Sequence, residues 1–221
     1  MHELFVKTHS ILAVGIIVLL LLHIQILNTY VIACITIAAS IYLLQKLSWL
    51  LHFVYRNVGF RPTSRVAITR GEILKIEVKT KRPWSVVPGQ FIYLSIPRLR
   101  SLGLGFWESH PFLIAWVPQQ DEGQASTIIL LVQGYRGFTR RLQNANADMS
   151  ALIDGPYGGL EADSFTKHDK ILLMSDGIGI AAHLYTAQYL LRAHVQKTAR
   201  VRRLTVVWVL KSQGIFSCPT Y

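Results

Sequence analysis

Two long apolar runs occupy the first 44 residues of the chain. The first extends from residue 11 to 27 and contains no polar side chain before His23 and Gln25. The second extends from residue 30 to 44, with only one threonine and one serine inside it. Each run is close to the length of about 20 residues that crosses the hydrocarbon of a bilayer as a helix. The pattern predicts a hairpin of two transmembrane helices within residues 1–52.

A cleavable signal peptide is the alternative interpretation of the first run, with Lys7 as its basic segment. No small-x-small cleavage site follows this run, and the second apolar run begins almost at once. Both observations favour the helical hairpin. Two crossings would return the chain to the side of the membrane on which it began.

After about Arg65 the apolar runs give way to an alternation of apolar and polar residues. The stretches RVAITRGEILKIEVKT, QFIYLSIP and STIILLVQG alternate in this way and are rich in β-branched residues, as half-buried strands are. Pro88-Gly89 indicates a turn. We therefore expect a small antiparallel β-domain, closed into a barrel, within residues 60–160.

A second change of pattern follows the sequence DGPYGG at residues 154–159. KILLMS is typical of a short buried strand, DGIGI of a glycine turn, AAHLYTAQYLLRAH of a helix and LTVVWVL of another strand. This order is that of a βαβ unit in a parallel sheet. Two strands are fewer than the five or six of a dinucleotide-binding domain. The pattern thus predicts a partial α/β, Rossmann-like domain over residues 165–221.

Composition and charge agree with a membrane region joined to a soluble region. The chain is 51% hydrophobic and 16% charged, with a mean hydropathy of +0.34. Its net charge is +11, and residues 46–100 carry 11 basic and two acidic residues directly after the apolar runs. Basic residues there mark the cytoplasmic side and favour anionic lipid. We expect membrane lipid as a partner and no nucleic acid, because no nucleic-acid-binding motif accompanies the charge.

Cysteine usage excludes two other kinds of site. The chain has two cysteines, Cys34 in the second apolar run and Cys218 in the tail. Two such distant residues predict neither a disulfide framework nor a cysteine-based metal site.

Two glycine-rich segments are candidates for nucleotide binding. In SDGIGIAA, Gly177 and Gly179 follow a strand and precede a helix, so the backbone can approach a pyrophosphate at the helix N-terminus. Asp176 stands where a glycine would be more permissive, and a tight turn without a ligand is the alternative. DGPYGG predicts a second glycine-rich turn that would face the same ligand.

The segments around His110 and Thr139 are candidates for binding a flat, anionic cofactor. His-Pro in ESHPFLIAWV predicts the start of a strand, because proline disfavours helix in the residue before it. An imidazole and an aromatic ring there can pack against a flat cofactor. In YRGFTRRL, we expect Thr139 to cap a helix that begins at Arg140, where three nearby arginines favour an anion. A partly exposed edge strand and a solvated basic helix start are the alternatives.

The ordered set PGQFIYL, HPFLIA, GFTRRL, DGPYG and SDGIGIAAH resembles the fungal ferric reductases and the related NADPH oxidases, over nearly the whole chain. The resemblance implies FAD and NADPH as cofactors. The chain departs from the family at Leu113, where a serine or threonine is usual, and at Ser175, Asp176 and Ala181, which replace Gly-Gly and Thr. The residues that the resemblance assigns to FAD are His110, Pro111, Phe112, Leu113, Ile114, Arg136, Gly137, Phe138 and Thr139. Those that it assigns to NADPH are Gly155, Pro156, Tyr157, Gly158, Gly177, Ile178, Gly179 and Ile180.

The spacing of two membrane histidines suits haem ligation. His9 and His23 are fourteen residues apart, which places them about 40° apart around a helix and about 21 Å apart along it. One imidazole near each leaflet suits axial ligation of two stacked b-type haems. In the family each of two helices carries such a pair, and HSILAVGIIVLLLLH resembles one of them. Two interfacial histidines on an ordinary anchor are the alternative, and the partner helix is expected in missing upstream sequence.

The resemblance implies a transmembrane ferric-chelate reductase. Such an enzyme moves electrons from NADPH through FAD and b-type haems to a ferric or cupric chelate on the extracytoplasmic side. It implies an integral protein of the plasma or vacuolar membrane, with cytoplasmic flavin and nucleotide domains. No catalytic acid or base is predicted.

Two other functions are kept as alternatives. One is a superoxide-generating NADPH oxidase, which differs only in its acceptor. The other is a truncated, non-catalytic membrane flavoprotein, favoured by the tail KSQGIFSCPTY, which stops resembling the family after Lys211. The truncated alternative predicts that the chain alone shows no bis-histidine haem spectrum and no NADPH-dependent iron reduction.

Overall fold

The computed structural model describes residues 2–23, 29–57, 65–69, 73–100, 105, 108–118, 120–121, 124–145 and 147–210. The chain divides into two compact units, Met1–Tyr55 and Arg56–Tyr221. The tail from Lys211, with Cys218, lies outside the described residues.

The first unit is helical. Helix α1 spans His2–His23 and helix α2 spans Thr29–Asn57. The second apolar run and residues 11–23 of the first are therefore helical as expected, and residues 24–27 lie outside the described residues. Within the described residues, α2 alone is long and apolar enough to cross a membrane, and α1 contributes the shorter apolar stretch Thr8–Leu20. Most of the large apolar side chains of both helices are exposed, as helices that contact lipid require.

The two polar side chains inside the second apolar run bond to their own helix. The Thr36 hydroxyl lies 2.9 Å from the carbonyl oxygens of Ile32 and Ala33, and the Ser40 hydroxyl donates to Thr36 O at 2.7 Å. Because these hydroxyls find acceptors within the helix, they do not require water. Helix α2 is therefore compatible with hydrocarbon along its apolar stretch.

The second unit begins with an antiparallel β-domain, as the alternating pattern predicted. The three stretches identified from alternation contain residues of four of its strands, and the Pro88-Gly89 turn is present. The elements in order are β1 Arg65–Thr69, β2 Ile73–Ser85, β3 Gln90–Ser95, β4 His110–Leu113, β5 Gln120–Asp121, β6 Gln124–Gln133, α3 Phe138–Gln143, β7 Asp148–Ser150 and β8 Leu152–Gly158.

The described strands of this domain form two antiparallel sheets. One has the order β5-β6-β2-β1-β7 and the other the order β4-β3-β8. A single bridge between Trp116 and Ile129 connects the segment after β4 to β6. The core between the sheets consists of aliphatic side chains such as Ile76, Ile92 and Leu130, none of which is exposed. Burial of such side chains is the dominant favourable term in folding.

The prediction of a glycine-rich turn at DGPYGG is wrong. Residues 154–158 lie inside strand β8, which pairs with β3 from Gln90↔Gly158 to Ser95↔Leu152 and has an irregularity between Phe91 and Tyr93. The pairing partner is more than 60 residues away in sequence, so local composition did not reveal it.

The βαβ unit at the end of the described chain has the predicted form. After a short helix α4, Ala162–Thr166, strand β9, Lys170–Asp176, leads into a 3₁₀ turn and helix α5, Ala181–Val195. Strand β10, Arg203–Val209, pairs with β9 in parallel register. Ile171, Leu173 and Leu190 form the buried core of this unit.

Helix α5 is bonded directly to the β-domain. The Tyr185 hydroxyl donates to Val86 O at 2.8 Å. The Gln188 amide pairs with both backbone groups of Val117, accepting from its N–H at 3.1 Å and donating to its C=O at 2.7 Å. Arg192 also donates to Val117 O at 3.2 Å. These contacts are mostly buried, so they hold the βαβ unit against the β-domain.

Candidate functional site

Strand β4 places the His-Pro-Phe segment at the edge of the three-stranded sheet. His110 and Phe112 are half-buried, whereas Pro111 and Leu113 are exposed, as alternation along a strand requires. The His110 ring lies 4.4 Å from the buried ring of Phe138, and the Phe112 ring lies 6.1 Å from it. The structure thus brings together two segments that the sequence analysis assigned to one cofactor.

The next residue, Ile114, has a different role. Its side chain is 2% exposed and belongs to the core. Its N–H donates to Gln90 O at 3.0 Å, which continues the pairing with β3. Ile114 therefore anchors the end of β4.

Thr139 does not cap a helix that begins at Arg140, so this prediction is wrong. Helix α3 begins at Phe138, and Gly137 precedes it with φ 58°. The Thr139 hydroxyl accepts from Tyr135 N–H and donates to Arg136 O, each at 3.2 Å. The helix starts earlier because glycine tolerates the positive φ and the next side chain, Phe138, is buried in the core. Thr139 instead fixes the turn before the helix.

The centre of this site is a carboxylate that the sequence analysis did not single out. Glu108 is largely buried and accepts two hydrogen bonds of 2.6 Å from Arg141 Nη2, one to each oxygen. Arg100 Nε donates to it at 2.9 Å, and His110 Nε2 lies 3.4 Å away. Charge-assisted bonds of this kind are stronger than neutral ones. Glu108 therefore ties the start of β4 to helix α3.

Electrostatics keep this carboxylate ionised. Burial raises the pKa of Glu108, but hydrogen bonds from Arg141 and His110, with the charges of Arg141 and Arg100, outweigh burial. The resulting pKa lies below its ordinary value.

The surface beside Gly137 is open and basic. A Cβ at Gly137 would meet no atom within 4 Å. Arg136 and Arg140 are exposed, and in the described part of the chain Arg141 Nε is buried without a hydrogen-bond partner. The exposed guanidinium groups of Arg136 and Arg140 and the open backbone turn fit the pyrophosphate of a dinucleotide.

The other face of the three-stranded sheet carries an aromatic cluster. The rings of Phe91, Tyr93 and Tyr157 lie 5.6 to 6.0 Å from one another. The register places Leu113 opposite Phe91 and Pro111 opposite Tyr93. The Tyr157 hydroxyl donates to Asp154 at 2.6 Å. This cluster holds the Gly155-Pro156-Tyr157-Gly158 segment against β3.

The second glycine segment forms a turn at the carboxyl end of β9. Gly177–Ile180 is a 3₁₀ turn, Gly177 has φ 51°, and its Cβ position is open. The Trp208 indole N–H donates to Gly177 O at 2.9 Å. Ser175 Oγ is buried and, among the described residues, has no hydrogen-bond partner. Open backbone and an unpaired hydroxyl fit a phosphate-bearing ligand.

The two segments assigned to NADPH belong to different sheets. Gly155 and Gly158 lie in β8, whereas Gly177 and Gly179 follow β9. Trp208, on β10, is a residue that the sequence analysis missed, because its partner Gly177 lies 31 residues earlier.

The membrane histidines lie on one continuous helix. His9 and His23 are both in α1, and both side chains are exposed. The His9 ring stacks on Phe5 at 5.9 Å. The uninterrupted helix supports the separation of about 21 Å calculated from the sequence.

Residues 59–161 match the model of a family of FAD-binding domains. Two Saccharomyces cerevisiae proteins are among the relatives. Ferric/cupric reductase transmembrane component 7 is 30% identical over 95% of this chain and 32% of its own length. Ferric reductase transmembrane component 6 is 31% identical over 83% of this chain and 25% of its own length. The chain therefore spans a third or less of the length of these relatives.

Solved structures support the fold of the second unit. A cytochrome P450 reductase from Amycolatopsis matches with a TM-score of 0.52 and 15% identity, over 69% of this chain and 44% of that chain. Ferredoxin-NADP+ reductase from Plasmodium falciparum with 2′P-AMP matches with a TM-score of 0.50 and 12% identity, over 70% and 65%. At these identities the likeness concerns the fold, which is that of ferredoxin reductases. The match to FAD-binding domains and the two yeast relatives make this chain similar to part of a ferric reductase transmembrane component.

Proposed function

We propose that the chain forms the electron-transferring part of a transmembrane ferric-chelate reductase. Electrons would pass from NADPH through FAD and b-type haems to a ferric or cupric chelate on the extracytoplasmic side. The observation that carries this proposal is the juxtaposition of His110, Phe138 and Glu108 beside an open, basic turn, within the segment that matches FAD-binding domains. The proposed protein has three functional regions, which are a membrane region at 1–52, a flavin-binding region at 60–160 and a nucleotide-binding region at 165–221.

FAD would be held by strand β4 and the start of helix α3. When bound, FAD supplies the conversion of a two-electron hydride into single electrons. His110, Pro111, Phe112 and Leu113 would orient its ring system. Gly137 and Thr139 would leave the backbone turn open to its pyrophosphate, with Arg136 supplying positive charge and Phe138 backing the His110 ring. Glu108 keeps Arg141 and His110 in position.

NADPH would be held by the glycine turn Gly177–Ile180 and by the segment Gly155–Gly158. Gly177 and Gly179 let the backbone approach a pyrophosphate, and the Ser175 hydroxyl is available to donate to it. Asp176 is exposed and its carboxylate would repel a phosphate if it pointed towards the ligand. Trp208 fixes the turn through its bond to Gly177.

Helix α1 would supply one axial ligand to each of two haems. His9 and His23 are too far apart on one helix to bind the same iron. Each haem would take its second imidazole from another membrane helix. A histidine-bearing helix with the same fourteen-residue interval fits this requirement.

Both helices of the first unit would cross the membrane, with the flavin and nucleotide regions in the cytoplasm. The basic residues between 46 and 100 support this orientation. The plasma membrane and the vacuolar membrane both fit the proposal.

The test uses the 221-residue chain in phosphatidylcholine nanodiscs. Copurified FAD is measured for the unmodified chain, for His110→Ala and for the control His168→Ala, which changes an exposed histidine outside the site. We expect His110→Ala to lose FAD and His168→Ala to retain it. Failure of the unmodified chain to bind FAD would overturn the proposal.

A second measurement distinguishes the acceptor. Reduction of a ferric chelate and formation of superoxide are compared after addition of NADPH, with the second haem ligands supplied by coexpressed membrane helices. Chelate reduction supports the reductase. Superoxide without chelate reduction indicates an oxidase, and bound FAD without either product indicates a non-catalytic flavoprotein.

A further inference from the structure

A polar cavity lies at the opposite end of β9 and β10 from the glycine turn. Its volume is about 530 Å³, which is within the range of small-molecule sites. It is formed by the loop before β9 and by the segment between α5 and β10. The lining residues are Asp169, His194, Ala199, Arg200, Val201 and Arg202.

Backbone hydrogen bonds hold the two loops of this cavity together. Arg200 N–H donates to Thr166 O at 2.8 Å. Arg202 and Arg203 both donate to Asp169 O, at 2.8 and 3.0 Å. Because the main chain of these loops is already fixed, it does not have to become ordered when a ligand binds, which lowers the entropic cost of binding.

The histidine of the cavity is also oriented. His194 Nδ1 lies 3.0 Å from Val201 O, and a carbonyl can only accept, so Nδ1 carries the hydrogen. The other ring nitrogen, Nε2, is left for a ligand. It accepts a hydrogen bond when the ring is neutral and donates one when the ring is protonated.

This end of the βαβ unit has a concentrated positive charge. Residues 167–203 include seven lysines and arginines and two aspartates. In the part of the chain that the structure describes, no ion pair involves Lys170, Lys197, Arg200, Arg202 or Arg203. A helix C-terminus accommodates some of this charge, but the arginines beyond it are left without a counter-ion.

The chemistry of the lining favours a phosphorylated polyol. A guanidinium group offers paired donors that match two phosphate oxygens. Two arginines, with further cations at the rim, favour a ligand that carries more than one negative charge. The Asp169 carboxylate would repel a simple anion but can accept a hydrogen bond from a ligand hydroxyl. A ring that carries both phosphates and hydroxyls satisfies all of these groups.

We propose that this cavity binds an inositol phosphate, presented either as the headgroup of a phosphoinositide lipid or as a free inositol polyphosphate. The site lies at the amino ends of β9 and β10, whereas the glycine turn lies at their carboxyl ends. It is therefore separate from the flavin and nucleotide segments, and NADPH does not compete for it.

The test measures both sources of this chemistry on the full chain in phosphatidylcholine nanodiscs. One arm titrates inositol 1,4,5-trisphosphate, which carries both phosphates and free hydroxyls, by calorimetry. The other arm mixes the nanodiscs with phosphatidylcholine vesicles that contain phosphatidylinositol bisphosphate, and pellets the vesicles. We expect binding in at least one arm, and we expect Arg200→Gln with Arg202→Gln to weaken it about thirtyfold, since each cation contributes about fivefold. Binding only in the titration identifies a free ligand, and binding only to vesicles identifies a lipid.

The matched control is Lys75→Gln with Lys79→Gln, which removes the same charge from exposed positions of β2. This control retains binding if the cavity is specific. The variant Arg200→Lys with Arg202→Lys keeps the charge but loses the paired donors, and we expect an intermediate affinity. Absence of binding in both arms, or an equal loss in the control and the glutamine variant, would overturn the proposal.

Discussion

At the scale of single residues, the feature that organises the proposed flavin site is a carboxylate rather than the histidine beside it. Glu108 bonds to Arg141 through both oxygens and also contacts Arg100 and His110. Arg141 is thereby committed to a partner within the protein. Arg136 and Arg140 are the exposed cations left for an anionic cofactor.

Replacing Glu108 tests this role. Glu108→Gln keeps the shape of the side chain but removes the charge that two arginines share, so we expect unfolding to become easier by about 1–3 kcal/mol at neutral pH. The measurement is thermal unfolding with FAD retention recorded in parallel. Glu77→Gln is the control, because Glu77 forms a more exposed pair with Lys75, and such pairs contribute about 1 kcal/mol or less. Equal effects of the two substitutions would contradict the assigned role.

The same residue predicts how stability depends on pH. The pKa of Glu108 is lower in the folded protein than its ordinary value of about 4.3. The stabilisation is therefore complete above that value and is lost as the pH falls through the folded-state pKa. We expect the difference in unfolding free energy between the unmodified chain and Glu108→Gln to become smaller as the pH falls below about 4. If this difference in unfolding free energy is the same at neutral and at acid pH, ionisation of Glu108 does not contribute to stability.

At the scale of elements, the glycine turn after β9 shows two glycines with different reasons to be present. Gly177 has φ 51°, a conformation that side chains with a Cβ rarely adopt. Gly179 has no such requirement, and a Cβ there would lie 3.9 Å from Ser175 Cβ, an ordinary contact. The backbone conformation requires a glycine at 177, whereas at 179 a glycine would serve only the approach of the proposed nucleotide.

Alanine substitutions separate these roles. Gly177→Ala should lower the free energy of unfolding by about 1–2 kcal/mol, because it forces an alanine into a left-handed conformation. Gly179→Ala should leave stability unchanged or raise it by about 0.5–1 kcal/mol, and should still weaken NADPH binding by filling the approach to the backbone. Chemical denaturation and NADPH titration by fluorescence give the two quantities. Denaturation midpoints that are lowered equally in both variants would contradict this distinction.

Elements with a strong local pattern were predictable from the sequence, whereas long-range partners were not. Apolar and polar residues alternate clearly in strands β3 and β6. The βαβ unit shows the successive patterns of a strand, a glycine turn, a helix and a strand. The helix start at Phe138 was missed because burial of that ring, rather than the threonine after it, sets the boundary. Arg141 lies 33 residues from Glu108, so no local motif indicates their pairing.

At the scale of the whole molecule, helix α5 connects the βαβ unit to the β-domain. Tyr185, Gln188 and Arg192 bond to backbone groups of Val86 and Val117. The Val117 C=O accepts from both Gln188 and Arg192, whereas the Val117 N–H donates to the Gln188 amide oxygen. The two parts of the second unit are therefore expected to unfold together.

Removing this amide tests the connection. Gln188→Ala leaves the buried Val117 N–H without its partner, so we expect a loss of about 1–3 kcal/mol in unfolding free energy. Gln196→Ala, at an exposed position after the same helix, should have little effect. Thermal unfolding is followed by FAD release and by tryptophan fluorescence. If the two signals separate in the unmodified chain, the parts unfold independently and the expectation is wrong.

The attachment of α5 also has a consequence for catalysis. A helix bonded to the β-domain at three positions along its length cannot swing away from that domain without breaking buried bonds. A nucleotide seated at its first turn would meet the flavin at a separation that the fold establishes before any ligand arrives. In the proposed enzyme, this attachment would preorganise the nucleotide and the flavin for hydride transfer without closure of one part onto the other.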